Sequence, residues 1–124
     1  MACKITELVI DCAEPQRLAD FWCEVLGYVE LDRDTDAIEI GPESGFGGPA
    51  PTLIFSRSAD PRRGKLPMHL DVNATDREQD AELERLLAVG ARKIDIGQTG
   101  DESWHVLADP EGNEFCLLRK RVEP

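Results

Sequence analysis

The most reactive side chains of this sequence fall in two short stretches, MHLDV at 68–72 and NEFCLL at 113–118. Glu114 and Cys116 are two residues apart, so on a β-strand their side chains point to the same face. His69 is one of two histidines and is the candidate for a histidine general base. Imidazole, carboxylate and thiolate all bind divalent metals. The pattern therefore indicates a metal-binding corner, a ligand pocket or an ordinary hairpin.

Nucleophilic mechanisms fit the sequence poorly. No G-x-S-x-G motif occurs, and the carboxylate of Glu114 would raise the pKa of the Cys116 thiol, which disfavours a thiolate nucleophile. The four cysteines are widely spaced and form no C-x-x-C pair, so zinc-ribbon and thioredoxin-type sites are excluded. We expect most of them to be buried free thiols: Cys3, Cys12, Cys23 and Cys116.

The charge of the chain limits its partners. The 124 residues carry a formal net charge of −11, which repels phosphate backbones and anionic lipid, so neither nucleic acid nor a membrane is an expected partner. No apolar run approaches the roughly 18 residues of a membrane-spanning helix, and the N-terminal stretch lacks the apolar segment of a secretion signal. We predict a cytoplasmic protein that binds a small molecule, and the acidic charge favours a cationic ligand.

Two kinds of periodicity predict the elements that must position these residues. Alternating apolar and polar side chains predict strands, and two amphipathic stretches predict helices. The predicted order is βαβββ, a linker, and βαβββ again, which is an α+β fold. We expect one domain at 1–124, with module one at about 4–57, a linker at 58–65 and module two at about 66–120.

The helix boundaries carry their own signals. Pro15 suits the first turn of a helix because its ring fixes φ and its missing N–H is not needed there. Thr75 or Asp76 is the predicted N-cap of the second helix, since a side-chain oxygen there accepts a hydrogen bond from a free N–H group. Gly27 and Gly90 are predicted to end the two helices.

Three stretches carry a resemblance to a known family: ELVIDCAEP…FWCEVLGY at 7–28, MHLDV at 68–72 and SWHVLADPEGNEFCLL at 103–118. With the repeated βαβββ order, they resemble the vicinal oxygen chelate superfamily of glyoxalases, fosfomycin and bleomycin resistance proteins and extradiol dioxygenases. Within it, the chain is most similar to the glyoxalase-like domain proteins. The resemblance implies curved mixed sheets around a cleft with helices outside, a small-molecule ligand or substrate, and it favours a homodimer.

In this superfamily the metal ligands come from the first and last strands of the modules. The resemblance places one at Glu7, where histidine is usual, and one at His69, which matches. The last-strand position falls on Cys116 instead of a carboxylate, and Glu114, two residues earlier on the same face, is the fourth candidate ligand. The implied cofactor is Zn, Ni, Mn or Fe, with His69 and Glu114 as catalytic residues. Without a metal, His69 would hydrogen-bond to Glu7 or Glu114.

The resemblance also outlines a substrate pocket. Cleft-lining residues before the turn aspartate correspond to Trp104 and Val106, and Val9 and Asp71 lie on the inward faces of their strands. Phe46 lies in a Gly-rich loop that could cover the cleft. Two functions remain open. One is a metal-dependent lyase, isomerase or transferase, and the other is a metal-free antibiotic-binding protein of the bleomycin-resistance type.

Overall fold

The computed structural model describes residues 2–59 and 64–124 and divides the chain into two compact units, Met1–Arg63 and Gly64–Pro124. Unit 1 contains β1 (Glu7–Cys12), α1 (Pro15–Leu26), β2 (Val29–Arg33), β3 (Ala37–Gly41) and β4 (Thr52–Arg57). Unit 2 contains β5 (Leu70–Val72), α2 (Gln79–Ala88), β6 (Arg92–Lys93), β7 (His105–Ala108) and β8 (Glu114–Leu117). Each unit has the βαβββ order, so the predicted α+β fold of two tandem modules is confirmed.

Unit 1 is built on a four-stranded mixed sheet in the order β1-β4-β3-β2. Strand β1 pairs parallel with β4, and the other neighbours are antiparallel. Strand alternation gives the sheet one apolar face, on which Ile40, Leu53 and Phe55 are buried. The opposite face carries Glu7 and Thr52, which stand side by side in the register of β1 and β4.

Helix α1 begins and ends where the sequence predicts. Pro15 is its first residue, and no side chain caps the helix at Glu14. Gly27 adopts a left-handed conformation with φ of 68° and donates its N–H to the carbonyl of Cys23 at 2.9 Å. This conformation is easy for glycine because it has no Cβ. The helix contacts β3 and β4 and buries the ring of Trp22.

Unit 2 repeats the topology with shorter strands. Its sheet has the order β5-β8-β7-β6, with β5 parallel to β8 and antiparallel pairing elsewhere. Leu107, Phe115 and Leu117 are fully buried on one face. Burial of a large apolar side chain stabilises the fold by about 1.5–3 kcal/mol, so these residues anchor the two central strands.

Helix α2 is shorter than the sequence predicts. It begins at Gln79 with Glu78 as the N-cap residue, so the predicted caps at Thr75 and Asp76 are wrong. The helix starts three residues after Asp76, whose carboxylate accepts hydrogen bonds from Arg77 at 3.0 and 3.1 Å. No helix among the described residues is long and apolar enough to cross a bilayer.

Candidate functional site

A tight turn sets the geometry of the last two strands. Asp109 is fully buried, and its carboxylate accepts hydrogen bonds from the backbone of Glu111 and Asn113 and from the Asn113 side chain, each at 2.9 Å. Gly112 has a φ of 83°, a left-handed conformation that suits glycine. These contacts fix the register of β7 and β8, in which Val106 faces Cys116 and Ala108 faces Glu114.

The parallel pairing of β5 with β8 brings a carboxylate next to the cysteine. Asp71 stands beside Cys116, and Cys116 stands beside Val106 on its other side. Residues directly opposite each other in a sheet share a face, so these three side chains form one row. The neighbouring residue Phe115 points to the other face and is fully buried. The register therefore places these three side chains on the sheet face opposite Phe115.

Asp71 and Cys116 of this row form a small polar cluster with His69. His69 lies directly before β5, and its Nε2 is 3.1 Å from Oδ1 of Asp71. One ligand atom each from His69, Asp71 and Cys116 lies within 4.8 Å of the others. The side chains of His69 and Asp71 are each 47% exposed, whereas Cys116 is buried. The cluster is thus open to solvent on one side and closed behind its sulfur.

The thiol of Cys116 is held in its protonated form by its surroundings. Burial raises its pKa, and the nearby carboxylates of Asp71 and Glu114 raise it further, while Lys65 lowers it. Burial and negative neighbours both disfavour a thiolate. A divalent cation would reverse this balance, because a coordinated thiol is deprotonated. The cysteine is therefore poorly suited to act as a free nucleophile and well suited to act as a metal ligand.

Glu114 lies on the same face but is engaged elsewhere. Its Oε2 is 3.0 Å from Nζ of Lys65, and its side chain is only 17% exposed. The carboxylate near His69 is thus that of Asp71, whereas the sequence predicted Glu7 or Glu114 as the histidine's partner. Lys65 was missed because it lies in an irregular connection, where no periodicity indicates which way a side chain points.

The predicted aromatic pocket residue lies at the entrance to β7. Trp104 occupies a bend immediately before the strand and is 43% exposed. The side-chain amide of Gln79 on α2 donates to the carbonyl of Ser103 at 2.8 Å, which ties this bend to the helix. An exposed indole offers flat apolar area and one N–H donor. Trp104 can therefore contact a ligand without any rearrangement of the core.

The remaining predicted site residues lie in unit 1. Val9 stands beside Ile54 and is exposed, and Phe46 is exposed in the loop between β3 and β4. Glu7 is partly exposed at the start of β1. The sequence reasoning missed Glu39, whose Oε2 is buried without a hydrogen-bond partner among the described residues. Its signal was the alternation AIEIG, in which a lone glutamate opposes two buried isoleucines.

Comparison with known proteins gives a family match and a set of similar structures. The family model described as a glyoxalase-like domain matches residues 7–118 of the chain. A glyoxalase/bleomycin resistance protein/dioxygenase family enzyme from Burkholderia phytofirmans PsJN is 18% identical, with a TM-score of 0.71 over 93% of this chain and 97% of that chain. A protein from Bacillus cereus described as a possible glyoxalase is 16% identical, with a TM-score of 0.68 over 94% of this chain and 99% of that chain.

A third similar structure contains a metal. It is a mutant of a fosfomycin resistance protein from Listeria monocytogenes, complexed with Mn(II) and 1S,2S-dihydroxypropylphosphonic acid. It is 12% identical, with a TM-score of 0.71 over 95% of this chain and 90% of that chain. Identities this low show a shared fold and not a shared activity. No curated protein sequence gives a significant match to the chain.

Proposed function

Because the chain belongs to the glyoxalase-like domain family, we propose that it binds a divalent metal and acts on a small oxygen-bearing molecule at that metal. The proposed ligands are His69, Asp71 and Cys116. The observation that carries the proposal is the convergence of one imidazole, one carboxylate and one thiol within 4.8 Å. Of the four ligands that the resemblance implied, this assignment retains two and adds Asp71.

The donor set fits zinc best. Zinc binds nitrogen, oxygen and sulfur ligands at about 2.0–2.3 Å, so neighbouring ligand atoms around it lie about 3–4 Å apart. The 3.1 Å between His69 Nε2 and Asp71 Oδ1 suits two ligands of one ion. Manganese prefers oxygen donors over thiolate. The Mn(II) of the Listeria structure therefore does not carry over to a site that contains Cys116.

Three protein ligands leave a zinc ion one open position, which is the usual pattern of catalytic zinc sites. A metal bound there supplies Lewis acidity to oxygen atoms of a bound molecule. The exposed sides of His69 and Asp71 give such a molecule access. Glu114 is the nearest further carboxylate on the face, and we assign it proton transfer, with Lys65 orienting its Oε2 at 3.0 Å. The reaction class is a lyase or isomerase.

Metal analysis of the purified protein tests this proposal. Chelator-treated protein should bind one zinc ion in calorimetry, and Cys116→Ala and His69→Gln should each abolish stoichiometric binding. Cys23→Ala is the matched control, since burial also raises the pKa of the Cys23 thiol. If the wild-type protein binds none of Zn, Ni, Mn or Fe(II) and none shifts its melting temperature, the metal proposal is wrong.

A second candidate is metal-free binding of a small molecule. It is favoured by the exposed indole of Trp104 and by the 3.1 Å approach of His69 Nε2 to Asp71 Oδ1, a distance at which the two groups can pair without an ion. Quenching of tryptophan fluorescence by a ligand panel in the presence of a chelator tests it. The quenching should disappear in Trp104→Phe and persist in Trp22→Phe. Quenching that survives in Trp104→Phe would exclude this pocket.

A further inference from the structure

The ion pair between Lys65 and Glu114 presents its cation to solvent. Nζ of Lys65 is 3.0 Å from Oε2 of Glu114, and the side chain of Lys65 is 60% exposed, whereas that of Glu114 is 17% exposed. A molecule that approaches from solvent therefore meets the ammonium before it meets the carboxylate. An ammonium has three N–H donors, and the contact with Glu114 needs only one of them. Lys65 can thus donate to a second acceptor without giving up Glu114.

The same ammonium lies close to the proposed metal ligands. Burial and the carboxylates of Asp71 and Glu114 raise the pKa of the Cys116 thiol, while the charge of Lys65 lowers it, so this charge is felt at the sulfur. Along the chain, Lys65 precedes His69 by four residues, on the segment that enters β5. Glu114 and Cys116 are two residues apart on β8, which is roughly 7 Å along a strand. One molecule of a few carbon atoms can therefore reach both the ammonium and an ion at Cys116.

Lys65 also completes the charge balance of this face. With zinc bound, the two charges of the ion are matched by the Cys116 thiolate and the Asp71 carboxylate, and the charge of Glu114 is matched by Lys65. A further anion therefore meets no net negative charge at the site. The net charge of −11 is spread over the whole chain, and salt screens charges that lie more than about 10 Å away. The local cations, which are the metal ion and Lys65, therefore favour an anionic ligand.

We propose that Lys65 binds a carboxylate of the substrate, so that the site selects small carboxylic acids with a hydroxyl or carbonyl oxygen near the carboxylate. The inference rests on the proposed function, since the second oxygen is the one that the metal would hold. A charged N–H donor makes a stronger hydrogen bond to a carboxylate than to a neutral oxygen. Lys65 is thus a specificity-determining residue in addition to orienting Glu114.

Two ligands that differ in charge but not in shape give the direct experiment. Zinc-loaded protein is titrated with lactate and with lactamide, which keeps the hydroxyl and carbonyl oxygens but carries no charge. Backbone amide shifts measure both affinities, and the largest shifts should fall on β5, β8 and the segment around Lys65. Zinc itself prefers a carboxylate to an amide. The informative quantity is therefore how the preference for lactate over lactamide changes between wild type and variants.

Variants separate the charge of Lys65 from other effects. Lys65→Met should reduce the preference for lactate about threefold, because a charge-assisted hydrogen bond is lost at a largely exposed position, and should leave lactamide binding unchanged. Lys65→Arg keeps the charge and should retain most of the preference. Lys93→Met is the matched control, since Lys93 is exposed on the far edge strand β6 and its register with Leu107 places it on the opposite sheet face from Cys116. It should leave the preference unchanged.

Two results obtained with zinc-loaded protein would overturn this inference. One is an equal preference for lactate in wild type and in Lys65→Met. The other is an equal loss of preference in Lys65→Met and Lys93→Met, which would reduce the effect to net charge. In either case the metal proposal stands, because the zinc content of each protein is measured before the titration. A wild-type protein that takes up no zinc would instead contradict the metal proposal, and this inference with it.

Discussion

The sheet of unit 1 and the sheet of unit 2 have the same strand order but carry their polar groups in different places. Both have a parallel pair at one edge and antiparallel strands beyond it. The corresponding rows across the two sheets are Val9–Ile54–Glu39 in unit 1 and Asp71–Cys116–Val106 in unit 2. Within these rows, the polar residues of unit 2 lie on the parallel pair, whereas the polar residue of unit 1, Glu39, lies one strand farther in.

The two units therefore share equivalent backbone positions but differ in the side chains that occupy them. An edge strand such as β5 has one neighbour, so its side chains can meet an ion or ligand from solvent. Asp71 on β5 is half-exposed, whereas Oε2 of Glu39 on an interior strand is buried. The same backbone thus offers an accessible coordinating position in one unit and a shielded hydrogen-bonding position in the other.

The largest expected effect tests whether the two cores are equivalent. Phe55 in unit 1 and Phe115 in unit 2 are both fully buried. Truncating either to alanine should lower the free energy of unfolding by about 3–5 kcal/mol, since it removes buried area and leaves a cavity. Urea unfolding of Phe55→Ala and Phe115→Ala measures this. A cost below about 1 kcal/mol for either would show that its unit is not closely packed there.

The next largest effect is expected for a substitution that makes the row of unit 2 more like the row of unit 1. Asp71→Val places valine where unit 1 has Val9, and it removes one proposed ligand without changing Cys116 or His69. Zinc affinity should fall on the order of a hundredfold or more, because loss of a ligand costs at least as much as loss of its supporting contacts. Calorimetry with zinc measures this. The reverse change Val9→Asp should create no zinc site, since Ile54 offers no ligand.

A smaller effect concerns the buried hydroxyl of unit 1. Thr52→Val keeps the shape of the side chain and removes an oxygen that has no partner among the described residues. The free energy of unfolding should rise by about 1 kcal/mol, the cost of leaving a buried hydroxyl unpaired. Ser56→Ala, on the same strand face but only partly buried, should change it little. Destabilisation by Thr52→Val would mean that the hydroxyl is bonded in solution.

The smallest expected effect concerns the alkylation rates of two thiols. Burial raises the pKa of both Cys23 in unit 1 and Cys116 in unit 2, but only Cys116 has Lys65 nearby to lower it. Lys65→Met should therefore raise the pKa of Cys116 further, reduce its thiolate fraction at pH 8, and slow its alkylation. We expect about a twofold change, because Lys65 is largely exposed and its charge is screened.

The pH dependence of this alkylation has a definite sign. A raised thiol pKa means that the reactive thiolate appears only at higher pH, so the rates at Cys116 should increase with pH in wild type and variant alike. The curve of Lys65→Met should lie toward higher pH, and the rate at Cys23 should be unchanged. Mass spectrometry of the alkylated peptides resolves the two sites. Zinc should protect Cys116 and not Cys23.

Much of the fold follows from local signals. Alternation indicated the strands. The first helix begins at Pro15 and ends before Gly27, as predicted. The DPEGN turn indicated the hairpin whose register places Cys116 beside Val106. Helix α2 was predicted to begin too early, since it starts at Gln79, beyond the candidate caps Thr75 and Asp76. Thr and Asp are favoured in turns as well as at N-caps, so their presence does not determine where a helix starts.

The site was only partly predictable for a related reason. Alternation indicates which face of its own strand each of Asp71 and Cys116 occupies, but only the register between β5 and β8 makes them neighbours. That register depends on pairing between distant segments. Lys65 lies outside any periodic segment, so its contact with Glu114 could not be predicted. The burial of Glu39 Oε2 without a partner among the described residues is likewise not given by sequence alternation alone.

The two tryptophans of the chain give it an intrinsic optical readout for each unit. Trp22 in unit 1 is 2% exposed and packs edge-on to Phe21 with ring centroids 5.3 Å apart, whereas Trp104 in unit 2 is 43% exposed. A buried indole emits at shorter wavelengths than a solvated one, because water relaxes around the excited state. The blue side of the emission spectrum therefore follows the core of unit 1, and the red side follows events at the surface of unit 2. The wavelength at which the intrinsic fluorescence changes therefore shows, without any added label, which unit has changed.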